Sequence, residues 1–386
     1  MHNDPITAEV MEISRQLDDA ARISIGFPGA SDIDYRPLTE LLTKPINNIG
    51  DPYTGSDVPN NTLKQERQVV ELLADLFRAP ADDRWGYVTS GGTESNAAAL
   101  TIARSLYPDA VCYYSDSAHY SLDKIRRQLA LPAVRIRSTS RGEIDYDDLR
   151  TQLGLRRDRP AIVIATIGTT MTEAVDDVGR ITAILDDLAI RDRFVHADAA
   201  LAGIPLALLD PTDRPGIDFA DGADSMCISG HKFLAAPSPC SVVITKASHR
   251  ARAAQPVGYI GSLDTTIGGS RSGHAPLILW YALNTLRIDG LRARAERTRG
   301  LAGHVCDQLR HLGWEAYRQP NAFTVVLRTP PDAVRSRWAM ASHRGWSHVI
   351  PMPGTPIASI NDFLEDMASA IRAGDGQQLA LAGSTR

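Results

Sequence analysis

The sequence predicts an α/β fold in which helices cover both sides of a mostly parallel sheet. Short apolar runs rich in branched residues alternate with longer helical patterns, and these runs are apolar on both faces. Strands of this kind belong to parallel sheets that are buried on both sides. After about residue 275 the pattern changes, which predicts a second, smaller α/β domain at the C-terminal end.

The predicted strands and helices follow one another along most of the chain. The strands are residues 111–115, 134–137, 161–167, 194–198, 225–229 and 241–245. The helices include residues 64–77, 95–106, 121–131 and 179–189. Beyond them, a helical stretch with a break leads to a strand and a final helix, at 277–309 (break at 288–290), 322–327 and 361–373. Ligands of such folds collect at the carboxyl ends of the parallel strands.

We predict four segments from these patterns. They are an N-terminal segment of residues 1–60, a large ligand-binding domain of 61–274, a small C-terminal domain of 275–373 and a disordered tail of 374–386. A length of 386 residues suits one large and one smaller domain.

Composition excludes several classes of function. A hydrophobic fraction of 43% and a charged fraction of 23% are typical of a soluble globular protein. A net charge of −5 provides no basic surface for nucleic acid. The first residues are polar, and no run reaches the roughly 18 apolar residues of a membrane span. We therefore expect a cytoplasmic protein that binds neither nucleic acid nor membrane.

The four cysteines are expected to be buried thiols. They occupy positions 112, 227, 240 and 306, and none forms a Cys-x-x-Cys pair. Without such spacing the sequence supports neither a structural disulfide nor a metal site.

A lysine follows directly after one predicted strand. The turn Ser229-Gly230-His231-Lys232 comes after residues 225–229. A lysine becomes a nucleophile that forms Schiff bases when its surroundings favour the neutral amine. The alternative for this tetrapeptide alone is a solvated surface lysine.

An aspartate closes another apolar strand, in the run His196-Ala197-Asp198-Ala199-Ala200. A buried carboxylate is costly unless its charge is matched. The protonated ring nitrogen of pyridoxal phosphate is such a match, because a ring held in that state accepts electrons released at a substrate Cα. The small alanines, including Ala200, would let the ring approach the backbone. A helix-capping aspartate is the alternative.

The run Thr89-Ser90-Gly91-Gly92-Thr93-Glu94-Ser95-Asn96 precedes a helical pattern. A glycine pair and a hydroxyl at a helix start form a phosphate site from backbone N–H groups and the helix dipole. We expect Gly91, Gly92 and Thr93 at the cofactor phosphate, with Ser229 and His231 as further donors. The spacing is neither a dinucleotide fingerprint nor a P-loop. A plain capped helix is the alternative.

Two further strand ends complete the set. His119 lies in the run Asp116-Ser117-Ala118-His119-Tyr120-Ser121. It can stack on a pyridine ring, contact the substrate carboxylate or take part in a proton transfer. Thr170, in Ile167-Gly168-Thr169-Thr170, can reach the phenolic oxygen of the ring. Four strand ends that each offer a group needed by pyridoxal phosphate make chance assembly the weaker explanation.

These motifs resemble those of the group II pyridoxal-dependent amino-acid decarboxylases. The likeness is closest to the short branch that contains bacterial histidine decarboxylase and plant serine decarboxylase, and it runs from about residue 25 to about residue 370. It is carried by residues 93–96, 117–121, 196–200 and 229–232, and also by 46–52, 85–89, 142–146 and 269–276.

The resemblance implies an aspartate-aminotransferase-like fold of type I, a homodimer with active sites at the interface, and α-decarboxylation of a free L-amino acid. Histidine is the first expectation. It implies Lys232 as the Schiff-base lysine, Asp198 as the partner of the ring nitrogen and His119 as the residue stacked on the ring. It also implies phosphate contacts from Gly92, Thr93, Ser229 and His231, and from Ser270 to the neighbouring subunit's phosphate.

The candidate donor of the proton at Cα is Tyr259, in a glycine-punctuated stretch that predicts a mobile loop. His119 is the rival for this role.

Several departures from the family pattern leave the substrate open. The family has other residues at Ser95, Ser241 and Ser272, and around residues 63–66. Serine or a specialised biosynthetic amino acid are therefore alternatives to histidine. Another fold-type-I enzyme (an aminotransferase or lyase), a catalytically silent pyridoxal-binding protein, and a structural protein with coincidental motifs are the remaining alternatives.

Overall fold

The computed structural model describes residues 5–253, 255–257 and 262–374. The chain divides into two units, Asp32–Ala295 and a smaller unit made of Met1–Ser31 with Glu296–Arg386. These boundaries differ from the predicted ones at 60/61 and 274/275, so the four predicted segments stay a prediction.

Helices and strands alternate through the larger unit, as the sequence predicts. The helices are α1 (Pro5–Ile23), α2 (Thr39–Leu42), α3 (Leu63–Leu76), α4 (Gly92–Leu106), α5 (Ser121–Gln128), α6 (Tyr146–Gly154), α7 (Val178–Asp187), α8 (Gly203–Ala207), α9 (Ala247–Ala253), α10 (His274–His311), α11 (Asp332–Arg335) and α12 (Ile357–Arg372). The strands are β1 (Asn47–Asn48), β2 (Trp85–Thr89), β3 (Val111–Ser115), β4 (Ala133–Ile136), β5 (Ala161–Thr166), β6 (Arg193–Asp198), β7 (Ser225–Ser229), β8 (Ser241–Thr245), β9 (Gln255–Val257), β10 (Ser262–Asp264), β11 (Arg271–Ser272), β12 (Ala316–Tyr317), β13 (Val325–Arg328), β14 (Ser342–His343) and β15 (Trp346–Val349).

The larger unit contains a seven-stranded sheet of order β2-β8-β7-β6-β5-β3-β4. Neighbouring strands from β7 to β4 run parallel, and only β8 runs antiparallel to both of its neighbours. Every residue of β5, Ala161–Thr166, is buried. A strand buried on both faces needs apolar residues throughout rather than alternation, and this explains the continuous run in the sequence. The fold is the predicted type I fold with a mostly parallel sheet.

The sheet topology brings five strand ends to one edge. Because β8 is antiparallel to both β2 and β7, β2 runs in the same direction as the parallel strands. The carboxyl ends of β2, β3, β5, β6 and β7 therefore share an edge, and each is followed by one of the runs singled out in the sequence.

Local details differ from the sequence prediction at a few element ends. The predicted helix 121–131 ends at Gln128, and Ala130 adopts a left-handed φ of 50° that a helix cannot contain. The break predicted at 288–290 lies one residue earlier, at Arg287, whose φ is 54°. All four cysteines are buried free thiols, as predicted.

The smaller unit has its own sheet and core. Its four strands pair antiparallel in the order β12-β13-β15-β14. Trp338, Phe363, Val325 and Leu327 are among the buried residues that form one apolar cluster there. This arrangement agrees with the small α/β domain that the sequence predicts at the C-terminal end.

A buried ion pair ties the two-stranded β1–β11 ladder to the large sheet. Arg271 donates to both carboxylate oxygens of Glu66, at 3.0 and 2.8 Å, and to the carbonyl of Gly50. Glu66 also accepts from the backbone N–H of Val88 in β2 and from the Asn48 amide. Burial raises the pKa of Glu66 above its usual value, and Arg271 opposes that shift.

We expect Arg271→Ala to lower the free energy of unfolding by about 3–5 kcal/mol, because it leaves the Glu66 carboxylate buried and uncompensated. Urea unfolding followed by circular dichroism at fixed protein concentration measures this loss. Arg150→Ala is the control, because Arg150 pairs with Asp187 at the surface, where both side chains are about half exposed. Its loss should stay below about 1 kcal/mol, and equal losses for both variants would contradict the prediction.

Candidate active site

A cavity of about 160 Å³ lies at the edge where the strand ends meet. It is lined by nine of the predicted site residues: Gly92, Thr93, His119, Thr170, Asp198, Ala200, Ser229, His231 and Lys232. These residues come from segments up to 140 positions apart, yet every one of them follows or ends a strand at this edge, or begins α4. Their meeting is a consequence of parallel strand direction.

The turn that carries Lys232 is fixed by backbone hydrogen bonds. The N–H of Gly230 donates to the carbonyl of Cys240 at 2.9 Å, and the N–H of Ala236 donates to the carbonyl of Gly230 at 3.1 Å. A Cβ at Gly230 would lie 2.5 Å from a methyl of Leu279, so the close packing here requires glycine. The half-buried Lys232 is therefore held at the cavity on a rigid turn.

An arginine holds the residue after the lysine. Arg294 is 1% exposed, donates to the carbonyl of Phe233 and forms an ion pair with Asp32. Its guanidinium group also lies over the Phe233 ring, with 4.8 Å to the ring centroid. The donors of Arg294 are thus used within the scaffold that supports the lysine.

Asp198 presents one satisfied and one unsatisfied carboxylate oxygen. Its side chain is buried at the end of β6, and Oδ2 accepts a hydrogen bond of 2.8 Å from the amide Nδ2 of Asn96. Oδ1 is buried and has no partner among the residues that the structure describes, and the hydroxyl of Thr166 in the same cavity is in the same situation. Since buried polar atoms are nearly always paired, this arrangement fits a ligand that offers a donor to Oδ1. The protonated nitrogen of a pyridine ring is such a donor.

The start of α4 also lines the cavity. Helix α4 begins at Gly92, and its first turn presents backbone N–H groups that have no partner within the helix. A Cβ at Gly92 would lie 3.1 Å from the hydroxyl of Ser229, so glycine keeps that space open. Glu94 accepts from the backbone N–H of Ser90 at 2.9 Å and thereby fixes the entry to the helix. These features fit a phosphate group.

His119 is a neutral imidazole with a defined tautomer. Its Nδ1 accepts from the backbone N–H of Ser121 at 3.3 Å and lies 2.8 Å from the Ser121 hydroxyl. The proton of the neutral ring is therefore on Nε2. Burial lowers the pKa of His119 below its usual value, Lys232 adds to this shift and Asp198 opposes it. The ring is thus available for stacking without a positive charge of its own.

His231 lines the cavity, and its ring is bound to the backbone. Its Nδ1 donates to the carbonyl of Cys240 at 3.2 Å, since a carbonyl oxygen only accepts. Burial lowers its pKa, and the neighbouring Lys232 acts in the same direction.

Two predicted residues, Gly91 and Ser270, are not among the residues that line this cavity, and a third lies outside the part of the chain that the structure describes. Gly91 precedes α4 and is not among the lining residues. Ser270 lies elsewhere in the larger unit, where its hydroxyl accepts from the Asn47 amide at 3.2 Å. Tyr259 lies outside the described residues.

The structure adds four lining residues that the sequence analysis did not assign: Asn96, Ser121, Thr166 and Gly168. Asn96 stands one helical turn after Gly92, in a motif that the sequence had already indicated. Its contact with Asp198, however, could not be predicted from the sequence. Thr166 is the last residue of β5, and the rule that ligands collect at strand ends would have selected it.

A larger groove of about 860 Å³ lies elsewhere in the same unit, against α3. Tyr53, Arg67, Glu71 and Trp280 are among its lining residues, and none of the predicted site residues is. Volume alone therefore does not identify the active site here; the converging polar groups of the smaller cavity do.

Comparisons with known proteins identify the family of this chain. The model of the pyridoxal-dependent decarboxylase conserved domain matches residues 27–315. A histidine decarboxylase of Mesorhizobium japonicum is 43% identical over 361 residues, which are 94% of this chain and 97% of the relative. A histidine decarboxylase of Vibrio campbellii is 37% identical over 347 residues, which are 89% of each chain.

Solved structures with the same fold include L-methionine decarboxylase of Streptomyces sp. 590, with a TM-score of 0.87, 24% identity and 96% of each chain covered. A sphingosine-1-phosphate lyase of Burkholderia pseudomallei has a TM-score of 0.82 and 21% identity, covering all of this chain and 96% of its own. At these identities the structures compare the fold alone. The domain match and the two close relatives show that this chain belongs to the pyridoxal-dependent decarboxylase family.

Proposed function

We propose that this protein decarboxylates free L-histidine to histamine and CO2, with pyridoxal phosphate held in the cavity around Lys232. The observation that carries the chemistry is that Lys232, Asp198 and His119 line one cavity together with the start of α4. The choice of histidine rests on the relative that is 43% identical over nearly the full length of both chains.

Each side chain has a separate task in this proposal. Lys232 would bind the cofactor covalently, Oδ1 of Asp198 would accept a hydrogen bond from the protonated ring nitrogen, and His119 would stack on the ring. Gly92, Thr93, Ser229 and His231 hold the phosphate, and Thr170 reaches the phenolic oxygen. When bound, pyridoxal phosphate supplies a conjugated ring that takes up the electron pair left at Cα as CO2 departs.

The charges around the cavity favour decarboxylation over transamination. An aminotransferase keeps the substrate carboxylate, commonly by pairing it with an arginine. Among the described lining residues there is no arginine. Arg294 and Arg271 form ion pairs with Asp32 and Glu66, respectively. A carboxylate left without a cation in a poorly solvated site loses CO2 more readily, because the neutral product is not penalised there.

A homodimer is part of the proposal. Ser270 does not line the cavity of its own chain, which supports a role at the site of a neighbouring subunit. Leu41, Leu42 and Leu72 are large apolar side chains that are about two-fifths exposed in one chain, and they support an interface in this unit.

Among the residues that the structure describes, no helix is both long enough and apolar enough to span a membrane. The cytoplasmic location expected from the sequence stays a prediction.

Purified protein supplied with pyridoxal phosphate should release CO2 and histamine from L-histidine. The test is a panel of single L-amino acids with CO2 and amine both measured, including serine and methionine. Lys232→Ala should abolish turnover, and Lys44→Ala is the control, because Lys44 is an exposed lysine remote from the cavity lining.

Other products would redirect the proposal. Ethanolamine from serine would contradict histidine as the substrate while keeping the decarboxylase. Turnover that depends on an added keto acid would favour an aminotransferase, and cofactor binding without any turnover would favour the silent binding protein.

Tyr259→Phe should slow amine formation by about 100-fold, the size of a typical general-acid contribution. The hydroxyl is proposed to deliver the proton to Cα, and its loss should raise the fraction of turnovers that end in the carbonyl by-product. Product ratio and turnover number are both measured. Unchanged values would exclude Tyr259 as the acid and leave His119, whose neutral ring carries a proton on Nε2.

Two inactive variants should complement each other if Ser270 serves the neighbouring subunit. Lys232→Ala removes the covalent anchor, and Ser270→Asp places a negative charge beside the phosphate. Co-expressed, they should regain about one quarter of wild-type activity, because half of the dimers are mixed and each mixed dimer has one intact site. Absence of recovery would show that Ser270 acts within its own chain or not at all.

A further inference from the structure

A chain of three buried side chains leads to Asp198. Asn96 in α4 donates from Nδ2 to Oδ2 of Asp198 at 2.8 Å, and its Oδ1 lies 2.9 Å from Nε2 of His196. Nδ1 of His196 lies 2.7 Å from the hydroxyl of Ser225. His196 and Ser225 are 0% exposed and Asn96 is 2% exposed. None of these three residues has a role in the proposed reaction described above.

The sheet geometry explains why these groups meet. His196 and Asp198 are two residues apart in β6, so both side chains lie on the same face of the sheet. Ser225 in β7 is the registered neighbour of His196 in the parallel β6–β7 pair. Asn96 spans His196 and Asp198 with one amide group.

The Asp198 carboxylate fixes the direction of every hydrogen bond in this series of side chains. An ionised carboxylate only accepts, so the amide nitrogen of Asn96 faces Asp198 and its oxygen faces His196. Nε2 of His196 therefore carries a proton. Burial lowers the pKa of His196 to about 4, so the ring is neutral at pH 7 and Nδ1 accepts from Ser225. Each donor points toward Asp198, and hydrogen bonds aligned in this way strengthen one another.

We propose that Ser225, His196 and Asn96 form a positioning relay that orients the Asp198 carboxylate and reserves its Oδ1 for the cofactor ring nitrogen. The inference rests on the proposed role of Asp198. The relay directs one oxygen to Asn96, and the other stays buried without a partner among the described residues.

The relay also links the two ends of the cofactor site. Asn96 lies in the first turns of α4, the helix whose start is proposed to hold the phosphate. The bond from Asn96 to Asp198 thus ties the phosphate end to the ring-nitrogen end. Asn96, His196 and Ser225 are positioning residues, because they act on the cofactor through Asp198.

The test uses two readouts other than activity. The first is the dissociation constant of pyridoxal phosphate, measured by titration of the apoenzyme. The second is the nitrogen-15 chemical shift of cofactor labelled at the ring nitrogen, which reports whether that nitrogen is protonated. A purely structural role for the relay would leave this chemical shift unchanged in folded variants.

Asn96→Leu and His196→Leu remove a donor while keeping a similar side-chain volume. Asn96→Leu loses a hydrogen bond to a charged group, and His196→Leu leaves Oδ1 of Asn96 buried without a donor. Each should weaken cofactor binding by about 10-fold to 100-fold. Each should also move the chemical shift toward that of an unprotonated ring. His196→Gln keeps an N–H donor near the position of Nε2 and should stay within about threefold of wild type.

His348→Leu is the matched control, because His348 is 2% exposed in the smaller unit and donates to the Gly26 carbonyl at 3.0 Å. It should change neither readout. If His196→Leu does not fold, Ser225→Ala carries the test, with an expected loss of about 2-fold to 10-fold in affinity. Wild-type values in the relay variants, or equal losses in His348→Leu and His196→Leu, would overturn the proposal.

Measurements on the wild-type protein and on Asp198→Asn distinguish a failure of this inference from a failure of the proposed function. If wild-type protein does not bind pyridoxal phosphate, the proposed function itself fails, and the relay fails with it. If Asp198→Asn moves the chemical shift while the relay variants do not, only the relay is wrong.

Discussion

The burial of the Asp198 carboxylate at the end of a central strand is the constraint on which the active site depends. A charge in this position is tolerated only when both oxygens find partners. Asn96 supplies one partner from the protein, and Oδ1 has none among the described residues. The site thus lacks one donor for Oδ1, and the ring nitrogen of the proposed cofactor would provide it.

A second buried carboxylate is treated in the opposite way. Glu66 has its charge fully matched within the protein by Arg271, Asn48 and the backbone of Val88. That pair closes the structure around β1 and β11, whereas Asp198 leaves an opening for a ligand. Both oxygens of Glu66 have partners within the protein, whereas Oδ1 of Asp198 has none among the described residues. The two buried carboxylates therefore have different roles.

The motifs made the cofactor and the main site residues predictable before any geometry was known. Lys232, Asp198, His119 and Thr93 stand at strand ends or at a helix start, and the direction of parallel strands brings such positions together. Asn96 and Gly168 were not assigned, because their importance depends on contacts across the site rather than on residue type. Ser270 does not line the cavity of its own chain, so its proposed role at a neighbouring subunit cannot be read from the structure of one chain.

By itself, the sequence determined the fold class and the family, and it predicted nine of the residues that line the cavity. Apolar runs, turn residues and short motifs are local properties, and physical rules convert them directly into strands, helices and phosphate-binding helix starts. Only the tertiary structure decided which oxygen of Asp198 is bonded to Asn96 and which is buried without a partner among the described residues. Those choices depend on the register of β6 against β7 and on the packing of α4 over them. Residues 100 positions apart in the chain set that arrangement, and no local pattern records it.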